Sequence, residues 1–169
     1  MESDYPQIVA LANLAYRRSD LGWTSEDGII EGDRLTEPQL RADLAATTDA
    51  HLLLYRDAPG GPLLGTVWLE PQPKDVWYLG LLTISPQHQN RQLGRTLLAA
   101  AEAFVGERGG STVRMTVLNV RETLVSWYQR RGYRQTGETV PFPYGDNRVG
   151  TALRDDLCFL VLEKYLERR

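Results

Sequence analysis

Apolar positions along the chain follow two different periods, and each period predicts one type of secondary structure. Spacing of three and four residues predicts four amphipathic helices, at 5–17, 36–47, 93–108 and 121–131. The second of these opens with Thr36-Glu37-Pro38-Gln39, a capping-box pattern with proline in the first turn. Glycines end the last two, at Gly109-Gly110 and at Gly132.

Short apolar runs bounded by turn residues predict the strands. A first pair flanks a Pro-Gly-Gly-Pro turn and is a predicted hairpin, HLLLYR (51–56) with LLGTVWLEP (63–71). Four more runs follow, VWYLGLLTIS (76–85), TVRMTVLNV (112–120), YRQTGETV (133–140) and DLCFLVLEKYL (156–166). Strands with interspersed helices predict an α/β (α+β) fold, with helices flanking a mixed, mostly antiparallel central sheet.

Two segments show no sustained period. Residues 21–34 are acidic, and together with Asp20 they would attract a cation such as a protonated amine, although a run of charges is more often a solvated loop. Residues 141–154 form a long predicted loop, of the kind that carries function or is mobile.

Composition narrows the class of protein. A length of 169 residues with 42% apolar residues predicts one domain over 1–169. A net charge of −3 disfavours nucleic acid and anionic membranes as partners. No apolar run approaches the roughly 20 residues of a membrane helix, and no basic signal region opens the chain, so we expect a cytoplasmic protein. His51, His88 and the single Cys158 lack partners at metal spacing, so no metal is expected.

The segment SPQHQNRQLGRTLLAAAEAF (85–104) predicts an anion site. Six polar residues lead from a strand into a helix that opens around Leu93, with Arg91 and Arg95 beside it. A helix N-terminus offers unpaired N–H groups and about half a positive charge, which favours a bound anion. An ordinary solvated turn before a surface helix is the alternative.

The order of these features resembles the GCN5-related N-acetyltransferase (GNAT) family over roughly residues 5–166. In that family the loop reads Gln/Arg-x-x-Gly-x-Gly/Ala, and its backbone amides hold the pyrophosphate of acetyl-coenzyme A (acetyl-CoA). Here Gln89 and Gly94 match, and Gln92 stands where the first glycine is expected. The resemblance implies a cofactor-binding segment made of Gln89, Asn90, Arg91, Gln92, Leu93, Gly94, Arg95 and Thr96.

Gln92 has a physical consequence for this loop. Glycine adopts positive φ readily and lets the backbone approach a phosphate, whereas glutamine adopts the left-handed conformation at a cost of about 1 kcal/mol. We therefore expect the loop to bind its anion somewhat differently, or more weakly, than a loop with glycine at this position.

A second family motif falls on the last helix, as Asn-x-x-Ala-x-x-Leu-Tyr followed by Gly-Phe/Tyr. Leu124, Trp127 and Tyr128 occupy its later positions, Gly132-Tyr133 follow, and Arg121 replaces the asparagine. The resemblance implies that Tyr128 is the general acid that protonates the departing thiolate of coenzyme A. A core aromatic at helical spacing is the alternative for Tyr128.

The resemblance also implies where the remaining chemistry lies. Backbone around Leu82, Thr83 and Ile84 would donate to the developing oxyanion and pair with the pantetheine arm. A carboxylate would deprotonate the amine, and Glu26 is the first candidate and Glu70 the second. For either residue, a solvated surface acid is the more common reading.

The sequence thus predicts an acetyl-CoA-dependent N-acetyltransferase that acts by direct attack of a primary amine, without an acyl-enzyme. A non-catalytic acyl-CoA-binding or regulatory module on the same fold is the alternative. The acceptor, small molecule or peptide, is not identified, and homodimer formation stays open. The family begins with a strand before its first helix, and only MESDY precedes the helix here. Either that strand is absent or the sequence starts late, and we expect a sheet that lacks this edge strand.

Overall fold

The computed structural model describes residues 2–17, 28–146, 148 and 150–167. Its α-helices are α1 (Tyr5–Arg17), α2 (Glu37–Ala46), α3 (Leu93–Glu107) and α4 (Glu122–Gln129). Its strands are β1 (Ile30–Glu31), β2 (His51–Tyr55), β3 (Gly65–Gln72), β4 (Val76–Ile84), β5 (Thr112–Leu118), β6 (Arg134–Pro141), β7 (Thr151–Ala152) and β8 (Cys158–Tyr165). The predicted helices and the six long strands are confirmed, with boundaries shifted by a few residues.

Six strands form the central sheet, in the order β2-β3-β4-β5-β8-β6. Only β4 and β5 are parallel, and the other neighbours pair antiparallel. The mixed, mostly antiparallel sheet predicted from the sequence is therefore confirmed. Within the described residues, β2 is the edge strand on one side, and residues 2–4 ahead of α1 form a 3-10 turn.

The two faces of the sheet carry separate apolar clusters. Val67 and Leu69 of β3 pack in the cluster that includes α3 and α4, whereas Trp68 packs in the cluster that includes α1 and α2. Because side chains alternate between the faces of a strand, the helix pairs lie on opposite faces. A third, smaller cluster of Ile30, Leu118, Phe142 and Leu157 lies near the end of β5.

Local sequence accounts for the start of α2. The Thr36 hydroxyl accepts from the backbone N–H of Gln39 at 3.3 Å, and the Gln39 side chain accepts from the N–H of Thr36 at 2.9 Å. This is the reciprocal capping box that the sequence predicts. It satisfies two backbone donors that a helix end leaves without intrahelical partners.

Two segments differ from the sequence-based expectation. The predicted loop 141–154 contains β7, which pairs antiparallel with β1 at the end of the acidic segment. The polar residues before α3 form a 3-10 helix, Pro86–Arg91, instead of an open loop. Both elements are too short for a periodic pattern, and the β1–β7 pair is non-local.

In the described ranges, the helices are all too short or too polar to traverse a lipid bilayer.

Candidate active site

A cavity opens where β4 and β5 separate. Their parallel pairing runs from Val76 with Thr112 to Tyr78 with Arg114. Beyond these residues β4 still pairs with β3 and β5 with β8, but the two strands no longer pair with each other. The cavity has a volume of about 350 Å³ and is lined by the diverging ends of both strands. Its walls also include Tyr16 of α1 and Tyr128 of α4. The opening therefore connects the two faces of the sheet.

A β-bulge lies on the β4 side of this cavity. Thr66 pairs with Thr83 and Trp68 pairs with Gly80, so Leu81 and Leu82 together oppose one residue of β3. Leu81 has φ of 50°, a conformation that residues with a side chain rarely adopt. A bulge interrupts the ladder and redirects the backbone, which here happens on the cavity wall.

Three hydroxyl groups fix the bulge. Thr66 and Thr83 both donate to the Leu81 carbonyl at 3.1 Å. Tyr16 donates to the Leu82 carbonyl at 3.0 Å. The bulge is thus held from its own sheet and from α1.

Tyr128 supplies a buried phenol to the same cavity. Its side chain is 6% exposed, and its ring packs edge-on against Trp127 and Tyr133. Within the described residues its hydroxyl has no hydrogen-bond acceptor. Burial raises the pKa of Tyr128 well above 10.0, the nearby Tyr16 and Tyr78 raise it further, and the Arg121 guanidinium opposes them. Tyr128 is therefore protonated at neutral pH and is a hydrogen-bond donor at the cavity wall.

A polar network lies behind Tyr128. The Tyr133 hydroxyl donates to Glu102 at 3.1 Å, and Lys164 donates to the same carboxylate at 2.8 Å. Tyr133 is 1% exposed, and its ring centroid lies 5.7 Å from that of Tyr128. Burial first, and the Glu102 carboxylate second, raise the pKa of Tyr133. The network joins α3, β8 and Tyr133, which lies between α4 and β6, and it supports the ring of Tyr128 from behind.

The residue before α3 has a left-handed backbone conformation. Gln92, which replaces the family's glycine, adopts φ of 57° and ψ of 25°, in the left-handed region. Its carbonyl accepts from the N–H of Thr96 at 3.2 Å, which closes the first turn. The N–H groups of Leu93, Gly94 and Arg95 precede that bond, in the turn where a helix leaves its donors without intrahelical partners.

The other predicted cofactor-binding residues divide by burial. Leu93 and Gly94 are buried, so they can offer a ligand only their backbone N–H groups. Arg95 and Thr96 are exposed. Gln89, Asn90 and Arg91 lie in the 3-10 helix by their backbone, and their side chains lie outside the described part of the chain.

On β4, Leu82 lines the cavity. Thr83 and Ile84 instead pair in register with Thr66 and Gly65, and their side chains are fully buried. The irregular backbone thus lies at Leu81 and Leu82, at the near end of the stretch expected from the sequence. Gly80 was the available signal, because a glycine inside a strand often marks a bulge.

Neither candidate base is found on the described cavity wall. Glu26 lies outside the described residues. Glu70 lies away from the described cavity wall, and its carboxylate accepts from the Trp68 indole at 2.7 Å. The structure also adds Tyr16, Tyr78 and Arg34 to the wall, three residues that no motif in the sequence identified.

Arg121, which replaces the family's asparagine, is half-buried on the cavity wall ahead of α4. In the described ranges, no three histidine, cysteine, aspartate or glutamate side chains come together as a metal site.

Residues 13–133 match the Acetyltransferase (GNAT) family. This match covers more than half of the chain, and the protein therefore belongs to the GNAT acetyltransferase family. A search of curated protein sequences finds no match to this chain.

Solved structures support the same fold. The ribosomal-protein-S18-alanine N-acetyltransferase from Escherichia coli superposes with a TM-score of 0.70 at 12% identity, covering 99% of this chain and 90% of that one. The ribosomal-protein-alanine N-acetyltransferase from Brucella melitensis gives 0.70 at 18% identity, covering 98% and 96%. A nourseothricin acetyltransferase gives 0.59 at 24% identity, covering 71% and 67%. At these identities the likeness is one of fold.

Proposed function

We propose that this protein transfers the acetyl group of acetyl-CoA directly to a primary amine. The observation that carries the proposal is the position of Tyr128. It places an unengaged buried phenol on a cavity between β4 and β5, beside a fixed bulge. Acetyl transfer from a thioester needs a proton donor and an oxyanion donor next to a slot for the thioester arm.

The slot and the α3 N-terminus fit the two ends of acetyl-CoA. The diverging strands leave backbone edges on β4 and β5 that can pair with the amide groups of a pantetheine arm. The first turn of α3, with Arg95 exposed beside it, is suited to the pyrophosphate. The slot opens through Tyr128 onto the face of the sheet on which α3 also packs, so we propose that one extended molecule occupies both.

In the proposed reaction a neutral amine attacks the acetyl carbon, an N–C bond forms and the C–S bond breaks. The amine loses one proton, and Tyr128 gives one to the departing sulfur. A backbone N–H at the Leu81–Leu82 bulge donates to the acetyl oxygen as negative charge develops on it. Solvent restores the proton of Tyr128 once the products leave.

The raised pKa of Tyr128 acts in two directions. It keeps the phenol protonated and ready to donate across the neutral range. With ordinary phenol and thiol pKa values, complete proton transfer from the phenol to the thiolate is unfavourable by roughly 2 kcal/mol. The raised pKa of Tyr128 makes this transfer more unfavourable still. The Arg121 guanidinium lowers the pKa of Tyr128, and so offsets part of this cost.

The proton of the amine needs a separate route. The described side chains of the cavity wall include no carboxylate. Glu26, which lies outside the described residues, remains our proposed base on the family resemblance alone.

The experiment measures acetyl-CoA binding by thermal shift and thiol release against a panel of amines. A ligand that binds only the folded state raises the free energy of unfolding by about 2.7 kcal/mol when its concentration is 100 times its dissociation constant. We expect a shift with acetyl-CoA and thiol release with at least one amine. A shift without turnover on every amine would favour a non-catalytic acyl-CoA-binding module, and no shift would overturn the cofactor assignment.

A further inference from the structure

The described cavity wall is electropositive on its polar part. Three arginines contribute to it, Arg17, Arg34 and Arg121, and no aspartate or glutamate among the described residues does. Arg17 donates through its Nε to the Gly32 carbonyl at 2.9 Å. Arg34 differs from Arg17 in how it is held.

The backbone of Arg34 is clamped by a buried side chain. Asn13 of α1, 9% exposed, accepts from the N–H of Arg34 at 2.7 Å and from the N–H of Leu35 at 3.1 Å. Its amide group donates in return to the Leu35 carbonyl at 2.8 Å. These three hydrogen bonds fix the segment that leads into α2, and with it the origin of the Arg34 side chain.

The Arg34 guanidinium then lies over the ring of Tyr16, 5.4 Å from its centroid. A guanidinium held against an aromatic ring in this way still has its five N–H groups to donate to an acceptor. In the part of the chain that the structure describes, no acceptor takes a hydrogen bond from these groups. The Arg34 guanidinium is half-buried and held in position, and it is suited to bind a carboxylate or phosphate through two parallel hydrogen bonds.

The same Tyr16 links Arg34 to the reaction centre, because its hydroxyl donates to the Leu82 carbonyl at the bulge. Arg34 therefore lies about one tyrosine ring away from the bulge. It is also on the α1–α2 side of the sheet, opposite the α3 N-terminus proposed for the pyrophosphate.

From this geometry we propose that the acceptor is a compact amine that also carries an anionic oxygen group, a carboxylate or a phosphate. The Arg34 guanidinium holds that anionic group while the amine reaches the bulge across Tyr16. The inference rests on the proposed acetyl transfer and adds the class of acceptor to it.

The test compares thiol release for matched amines with and without the anionic group. One pair is L-alanine with L-alaninamide, and the other is O-phosphoethanolamine with ethanolamine. We expect a higher kcat/KM for the anionic member of at least one pair, and Arg34→Gln should lower that preference by about 10- to 100-fold, mainly through KM. Comparing the ratio between proteins cancels the different basicity of the amines. Arg34→Lys, which keeps the charge and loses the fork, should restore part of the preference.

Arg41 offers a matched control, since its guanidinium also lies over an α1 tyrosine, 4.8 Å from the Tyr5 centroid, but outside the cavity wall. Arg41→Gln should leave the preference unchanged. Equal kcat/KM for the members of both pairs in the unmutated protein, or a preference for the anionic member that survives Arg34→Gln, would overturn this inference alone. Absence of turnover on every amine would instead overturn the proposed function, and this inference with it.

Discussion

Tyr128 and Tyr133 hold their phenol protons more tightly than a tyrosine in water does. Burial is the main cause for both, because a phenolate loses solvation in an apolar environment. The groups that face Tyr133 are Glu102, Lys164 and the ring of Tyr128. Both tyrosines are therefore neutral in the folded chain at pH values where an unfolded chain has begun to ionise.

This difference predicts a loss of stability in alkali. Above pH 10.0, the ordinary phenol pKa, the unfolded chain releases protons that the folded chain keeps. The unfolded state then binds fewer protons, so the free energy of unfolding falls as pH rises, by up to about 1.4 kcal/mol per pH unit for each tyrosine. Tyr133→Phe should show a shallower decline between about pH 9 and pH 11 in denaturant titrations, whatever its stability at pH 7. Equal slopes in the two proteins would refute the assignment.

Gln92 is strained in the left-handed region, and this strain predicts a stabilising substitution. Gln92→Gly should raise the free energy of unfolding by up to about 1 kcal/mol relative to Gln92→Ala, since alanine keeps the strain and glycine removes it. It should also lower the dissociation constant of acetyl-CoA, because the backbone can approach a phosphate more closely. A Gln92→Gly protein less stable than Gln92→Ala would show that the loop does not hold this conformation.

At the scale of elements, the proposed mechanism depends most on the bulge of β4. It sets the Leu81 and Leu82 backbone against the cavity and is held by hydroxyls from β3, β4 and α1. Donors to an oxyanion act by being fixed in place before the reaction, so the restraints matter as much as the donor.

Removing the two threonine hydroxyls tests this role. Thr66→Val and Thr83→Val keep the side-chain shape, and each should lower the free energy of unfolding by about 1 kcal/mol. Together they should reduce kcat by about 10-fold or more, because the bulge backbone is then less well aligned. Thr112→Val, at a buried threonine of β5 away from the bulge, is the control. A double variant with normal kcat would remove the bulge from the mechanism.

Elements that depend on local signals were predictable, and elements that depend on distant pairing were not. The capping box of α2 depends on four consecutive residues, and the structure confirms it. The β1–β7 pair joins two-residue strands more than a hundred positions apart, and nothing local identifies it. The bulge had one weak signal, Gly80, whereas its exact residues follow from the register with β3.

At the scale of the whole molecule, the site forms where the two faces of the sheet meet. The separation of β4 from β5 lets Tyr128, from the α3–α4 face, and Tyr16, from the α1–α2 face, share one cavity. The family motif identified Tyr128 as a candidate, because that motif lies within one helix and the glycine that follows it. Arg34 was not predictable, since its position before α2 depends on contacts with Asn13 and Tyr16 of α1.

The central claim is that Tyr128 donates a proton during acetyl transfer in this cavity, and Tyr128→Phe tests it most directly. The substitution keeps the ring that packs against Trp127 and Tyr133 and removes only the hydroxyl. On an acceptor established with the unmutated protein, kcat should fall by about 10²- to 10⁴-fold while the thermal shift caused by acetyl-CoA is retained. Tyr133→Phe, which removes a hydroxyl bonded to Glu102 outside the cavity wall, should lose far less activity. Unchanged kcat of Tyr128→Phe between about pH 6 and pH 9 would contradict the account.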